Sequence, residues 1–332
     1  MTATTDVTSA TELLHSSDGG QIASRSAFQL FWARMREDKV ALFGGVVIVL
    51  LIGVAIFGGP IAQSVTGHPN TEAYTSIMLD DFGIPQGPNN DFWFGADEAG
   101  RDLFVRTMYG ARTSLLVGVV AAGLAVFIGL VVGLLAGYFR GWSDTALSRT
   151  GDVMLALPQL LIAIGIVAAC GTTKEGCRVG AFGFDLFSLA PGIALVIAII
   201  ALFSWPYIAR IVRGYTLSVR EREFVEASRS LGAGNFRILF REVLPNLIGP
   251  ILVYTTLLIP QAILFEAALS FLGLGVPPDT ASWGGLLSQA SRYYDVAWWL
   301  MLFPGLFLVM TTLAFNLLGD GLRDALDVRA DR

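Results

Sequence analysis

The chain is short of the residues on which most enzymes depend. Among 332 residues there are two histidines, His15 and His68, two cysteines, Cys170 and Cys177, and two lysines, Lys39 and Lys174. Both histidines lie outside the apolar stretches, so no Ser–His pair can form inside one, and an intramembrane protease of that kind is excluded. Neither lysine ends a glycine-rich turn in the Gly-Lys-Ser/Thr manner, so the chain has no P-loop and is not expected to hydrolyse ATP itself. No metal site and no catalytic residue are expected. Charge is scarce too: 15% of residues are ionisable, against about 25% in a soluble domain. The net charge of −5 lacks the basic face that nucleic acid demands.

What the chain has is apolar length. Hydrophobic residues make up 54% of it, and six windows run without a charge: Val40–Gly58, Thr113–Gly137, Val153–Gly171, Leu186–Ala209, Val243–Phe265 and Val296–Gly319. Crossing a bilayer core takes about 20 such residues. Prolines 158, 191, 206, 250, 260 and 304 fall inside these windows. They would break a soluble helix, but helices packed in a membrane tolerate them. The expectation is an all-α integral membrane bundle of six spans. Glycines at 118, 123, 129, 133 and 137 in the second span read as ordinary membrane-helix glycines, close packing being the alternative.

Arginine and lysine set the orientation. With the N-terminus cytoplasmic, 16 of the 22 basic residues fall on the inner side and 6 on the outer, so both termini are expected inside. Residues 1–27 are polar, without the apolar core of a cleavable signal, and read as a disordered cytoplasmic tail. Residues 28–39 (FQLFWARMREDK) read either as an interfacial helix with Phe28, Phe31, Trp32 and Met35 on one face, or as a plain basic flank to the first span. After the span 40–58, residues 59–112 are expected as loops and short helices over the outer face. Residues 113–319 form the core with its hairpin at 210–242, and 320–332 form a cytoplasmic tail. Cys170 and Cys177 fall in an outer loop, where a disulfide and two free thiols are both open.

The stretch EREFVEASRSLGAGNFRILFREVLPN (221–246) interrupts this greasy chain with a soluble-looking helical hairpin. Ser218 and Glu221 fit a capping box, and Phe224, Ala227, Ser228 and Leu231 share a helix face. The LGAG at 231–234 predicts a helix stop. Asn235 is expected to cap a second helix with Phe236, Leu239, Phe240 and Val243 on its apolar face. A solvated loop is the bland alternative; a small-residue knob built for docking is the sharper one.

This stretch resembles the cytoplasmic "EAA" loop of permease subunits of bacterial ABC importers. Glu226, Ala227 and Ser228 stand for the EAA, Gly232 for its glycine, and Leu244–Pro245 close the pattern at the family's spacing. Ser228 replaces an alanine, and Glu242 replaces an isoleucine. FGADEAGRDLFVRTMYGARTSL (94–115), FEAALSFLGLGVPPDTASWGGLL (265–287) and FNLLGDGLRDALDVR (315–329) are similar to segments of the dipeptide/oligopeptide group, in particular its C-type permease.

The resemblance implies a type I ABC importer permease fold in the cell membrane, with peptide as cargo. It implies a B-type permease paralogue, two ATPase subunits carrying ATP and Mg, and an extracytoplasmic binding protein as partners. It makes Glu226, Ala227, Ser228, Leu231, Gly232, Ala233, Gly234, Asn235 and Phe236 the ATPase-coupling element. Gly95, Asp97, Gly100, Arg101 and Asp102 then meet the binding protein or, in the more ordinary reading, form a turn held by Asp–Arg pairing. Glu266, at the edge of the fifth window, reads either as a functional ionisable residue or as one that simply reaches water at the boundary. Nickel complexes or haem-like ligands are alternative cargoes. A secondary transporter is the rival class, disfavoured because no window holds an ionisable residue.

Overall fold

The computed structural model describes residues 27–170 and 192–326, with side chains over 31–168 and 192–326. The first 26 residues, the last six and the Cys170–Cys177 pairing lie outside the described residues. Helices account for nearly everything else. No β-strand occurs among the described residues, only two isolated bridges, Leu79 with Pro85 and Ala96 with Asp102.

The helices are α1 (Ala27–Glu37), α2 (Lys39–Gly53), α3 (Gly59–Thr66), α4 (Thr75–Met78), α5 (Leu103–Phe139), α6 (Trp142–Ala156), α7 (Gln159–Cys170), α8 (Ile193–Arg220), α9 (Glu223–Ser230), α10 (Asn235–Ile238), α11 (Leu244–Phe271), α12 (Trp283–Tyr293) and α13 (Trp299–Leu326). A π-helical turn at Val54–Gly58 joins α2 to α3, and another at Leu239–Val243 joins α10 to α11. Five continuous stretches are long and apolar enough to cross a membrane: Lys39–Thr66, Leu103–Phe139, Ile193–Arg220, Asn235–Phe271 and Trp299–Leu326. A sixth apolar stretch is α6 with α7, which meet at 83° and make the sixth span when the bent pair is taken as one.

That bend departs from the expected uninterrupted window at 153–171. Pro158 follows Leu157, and proline pushes its predecessor out of the α region. Leu157 is accordingly extended, at φ −78° and ψ 137°. Pro206, Pro250, Pro260 and Pro304 stay inside their helices. The helix ends that matter are capped by carboxylates. Asp38 Oδ1 accepts the amides of Val40 (2.9 Å) and Ala41 (3.0 Å), and Asp102 Oδ1 those of Phe104 (2.8 Å) and Val105 (3.2 Å). Each satisfies amides that the first helical turn leaves bare.

The longest α-helix, α5, forms its most extensive packing with α8. A Cβ on Gly129 would lie 2.7 Å from Ile208 Cβ; one on Gly133 would lie 2.6 Å from the Ala209 carbonyl. At Gly137 it would be 2.7 Å from Thr216 Cβ, and at Gly118 2.3 Å from Ile263 Cγ1. Four of the five glycines are therefore contact points rather than ordinary helix residues. Their bare faces let two backbones approach, which is how membrane helices gain van der Waals contact without a hydrophobic drive. Gly123 alone faces open space.

The face expected on α1 is divided. Phe31 and Met35 pack with Ala41, Leu318, Leu322 and Ala325. Trp32 stays outside, with the Arg36 guanidinium 5.3 Å from its ring centre. This helix therefore leans on the C-terminal end of α13 and offers the tryptophan to its surroundings.

Candidate functional site

The hairpin follows directly from α8. Ser218 lies within that helix, which continues to Arg220, so the expected capping box at Ser218 and Glu221 does not form. Instead the chain turns at Glu221–Arg222, and α9 begins after an extended Arg222 without a side-chain cap. Glu223 and Glu226 in its first turn and Arg229 in its last suit the helix dipole. Its end is a complete Schellman motif: Ala233 N–H donates to Ser228 O (3.1 Å) and Gly232 N–H to Arg229 O (3.0 Å). Gly232 sits at φ +83°, left-handed as that motif requires. Gly234, not Asn235, occupies the next cap position. The Asn235 side chain is used elsewhere, its Oδ1 accepting the Tyr138 hydroxyl at 3.0 Å.

Val225, Ile238, Leu239 and Val243 are buried in one cluster with Tyr138 and Val219, which seats the hairpin on the inner ends of α5 and α8. Arg220 strengthens the seat by donating to the Tyr138 carbonyl, with its guanidinium 6.0 Å from the ring centre. Arg140 pairs with Glu221 beside it. The same end of α8 holds α6 through Arg213 to Asp144 (2.5 and 2.8 Å) and Arg210 to Asp152 (2.7 Å).

The opposite side of the hairpin is greasy and uncovered. Leu231 is 89% exposed and Phe236 75%, with Phe240 beside Phe236 at 4.4 Å between ring centres. Phe224, Glu226 and Ala227 are exposed as well, and Ser228 is half-buried. The anticipated face Phe224–Ala227–Ser228–Leu231 thus points outward. The second anticipated face is split, with Leu239 and Val243 inward and Phe236 and Phe240 outward. A rigidly seated knob that presents large apolar side chains to water is suited to a protein partner.

At the other end of the bundle, Gly95, Asp97, Gly100, Arg101 and Asp102 do come together. Asp97 Oδ1 accepts the amides of Ala99 and Arg101 (both 2.9 Å), and its Oδ2 accepts Arg101 Nε (2.8 Å). Asp102 Oδ2 meets His68 Nδ1 at 2.7 Å, and the His68 ring stacks on Phe92. The sequence reading missed Arg106, which is wholly buried. Its Nε lies 3.1 Å from Asp97, and its Nη2 donates to the Pro278 carbonyl (3.0 Å). The available signal was an arginine one turn past a capping aspartate, just ahead of an apolar window.

Glu266 does not reach water, against the plainer of its two readings; it is fully buried. Ser114 Oγ donates to Oε2 (3.2 Å) and Ser270 Oγ to Oε1 (2.6 Å). Each hydroxyl in turn accepts a loop amide, Ser114 from Trp283 and Ser270 from Val276, both at 3.2 Å. One carboxyl group thus binds the 276–283 loop to α5 and α11 through two matching relays.

Fold and hairpin together define a class: a multi-pass helical membrane protein with a polar helical hairpin that exposes large apolar side chains. Comparison with known proteins gives the family. The chain belongs to the binding-protein-dependent transport system inner membrane components, matched over residues 129–332. Residues 26–79 match the N-terminal TM domain of oligopeptide transport permease C. It is 38% identical over 303 residues to the glutathione transport system permease protein GsiD of Pectobacterium atrosepticum, covering 91% of each chain. It is 38% identical over 307 residues to the dipeptide transport system permease protein DppC of Alkalihalophilus pseudofirmus, covering 92% of this chain and 91% of that one. The GsiD of Escherichia coli O157:H7 is 41% identical over 303 residues. In fold it is similar to the MetNI methionine ABC transporter in an inward-facing conformation, with a TM-score of 0.52 at 19% identity, over 66% of this chain and 96% of that one. The protein is an ABC importer permease of the inner membrane, and such a permease works with a substrate-binding protein and an ATPase.

Proposed function

We propose that the chain is the C-type half of a peptide importer and that the 226–236 stretch docks into a groove on an ATPase subunit. The observation that carries this is the hairpin: a Schellman-stopped helix, anchored by Val225 and Ile238, that exposes Leu231 and Phe236. ATP and Mg reside on two partner ATPases. Closure of that pair moves the hairpins, and the bundle tilts between inward- and outward-open states. A B-type paralogue completes the path, and a binding protein delivers cargo to the outer face, where the Asp97–Arg106 cluster orders the surface. The cargo reading is supported by the names of the relatives, whose systems transport dipeptides and glutathione, itself a small peptide.

Reconstitution of the chain with a B-type permease, ATPases and binding protein tests the proposal. Peptide-stimulated ATP hydrolysis together with uptake is expected. Stimulation by a nickel chelate or a haem but not by peptides overturns the cargo, and failure to co-purify with an ATPase overturns the docking role.

A further inference from the structure

We infer that the cleft at the bend of the third span is where cargo touches this subunit as it crosses, through uncharged amide and hydroxyl groups. This rests on the peptide reading above and adds to it a place and a chemistry. The cleft has a volume of about 210 Å³ and is lined by Gln159, Ser204 and Gln261, with Ile200, Phe203 and Phe265 between them. That is smaller than the roughly 300–1,000 Å³ of sites that enclose a whole small molecule, and suits a passing contact with part of a cargo. All six residues lie inside the apolar windows, where the sequence offered no distinctive charge to read.

Three observations converge there. Gln261 is exposed although it sits within α11. A carboxamide turned to hydrocarbon is costly without a hydrogen-bond partner, so this side of α11 faces polar company rather than lipid. Gln159 Nε2 donates to the Phe203 carbonyl at 3.2 Å, which fixes one of its two amide hydrogens and ties α7 to α8. Finally, the chain bends by 83° immediately before Gln159, and Leu157 and Pro158 at the bend are exposed. A helix end leaves carbonyls without intrahelical partners. Such backbone is tolerated at membrane depth only when covered by protein or facing a water-filled cavity.

Carboxamides both donate and accept, as peptide bonds do, so the cleft can pair with a peptide main chain at any position. It holds no ionised group among its lining, so it neither selects nor rejects charged cargo side chains, and the phenylalanines and Ile200 accommodate apolar ones. The recognised class is the short peptide, by its backbone amides, in a weak and transient contact.

Thiol labelling of the assembled transporter in liposomes tests this. The chain carries Cys170→Ser and Cys177→Ser, with either Gln261→Cys or, as a lipid-facing reference, Val49→Cys on the first span, a position 68% exposed. A small charged methanethiosulfonate should react at position 261 about tenfold faster than at 49, because it reacts only where water reaches. Saturating dipeptide with binding protein should slow that reaction about threefold, the equivalent of one modest hydrogen bond. Equal rates at the two positions overturn the inference, as does a fast reaction that peptide leaves unchanged. If the serine replacements block assembly, Gln159→Leu with Gln261→Leu in the otherwise native chain carries the test. KM for dipeptide uptake should then rise about threefold or more, and an unchanged KM overturns the site. Loss of the peptide reading itself shows separately, as absent peptide uptake by the transporter with both glutamines intact.

Discussion

Replacing Gly232 probes the docking hairpin without touching the bundle. The residue sits at φ +83°, and a Cβ there would meet nothing within 4 Å, so a side chain brings conformational strain and no clash. For a non-glycine residue the left-handed region costs about 1–2 kcal/mol, less for asparagine. That cost falls on the two bonds of the stop, Ala233 to Ser228 and Gly232 to Arg229, which hold Leu231 and Phe236 in place. One to two kcal/mol corresponds to roughly a 5- to 30-fold loss of the docking-ready form. The order of damage should be Asn, then Ala, then Val, since a β-branched residue is the least tolerated at positive φ. The assay is peptide uptake per ATP hydrolysed by the reconstituted transporter, with detergent-solubilised thermal stability as the control. Uptake should fall in that order while the unfolding midpoint stays put. Full coupling in Gly232→Val, or equal damage from Asn and Val, refutes the reasoning.

Leu231→Ser with Phe236→Ser should leave stability within about 0.5 kcal/mol, as exposed positions do, yet weaken co-purification of the ATPase; undiminished co-purification removes the apolar knob from the interface. Glu266→Ala strips the acceptor from two buried hydroxyls, and each orphaned group costs about 1–3 kcal/mol. The thermal midpoint should therefore fall, and fall less for Glu266→Gln; a midpoint unchanged in the alanine variant shows that the relays hold nothing. Gly133→Leu should separate α5 from α8 and abolish assembly, whereas Gly123→Leu, facing open space, should be accepted. Comparable expression of the two variants in the membrane fraction counts against the glycine seam.

Much of this architecture could be read from the chain because membrane crossing leaves so blunt a record. Apolar length found five spans, although each helix overruns its charge-free window by 7 to 11 residues at one end, and LGAG announced the Schellman stop. The bend at Leu157–Pro158 could not be singled out, since six other prolines share the windows and the five of them that are described remain helical. Which proline breaks a helix depends on what its neighbours supply to the freed backbone groups. The misplaced caps have a similar cause: α8 runs through Ser218 because Val219 is held in the core, a decision made by packing rather than propensity. Arg106 and Glu266 were hardest, because their partners Pro278 and Ser114 lie 172 and 152 residues away in the chain.

The π turn at Leu239–Val243 leaves no gap between the hairpin and the fifth span: Asn235–Phe271 is one uninterrupted helix of 37 residues. At 1.5 Å per residue it is a rod about 55 Å long. Its inner end starts in the docking knob, Gln261 lies along its shaft, and Glu266 grips the outer loop near its tip. A rod transmits angle as distance. On the docking proposed above, tilting it by about 10° at the hairpin would sweep the far tip through about 10 Å, enough to carry Glu266 and the loop it holds across the width of a side chain. On that docking the chain would have the gearing of a crank: a small turn imposed at the hairpin would become a large displacement at the opposite end of the bundle.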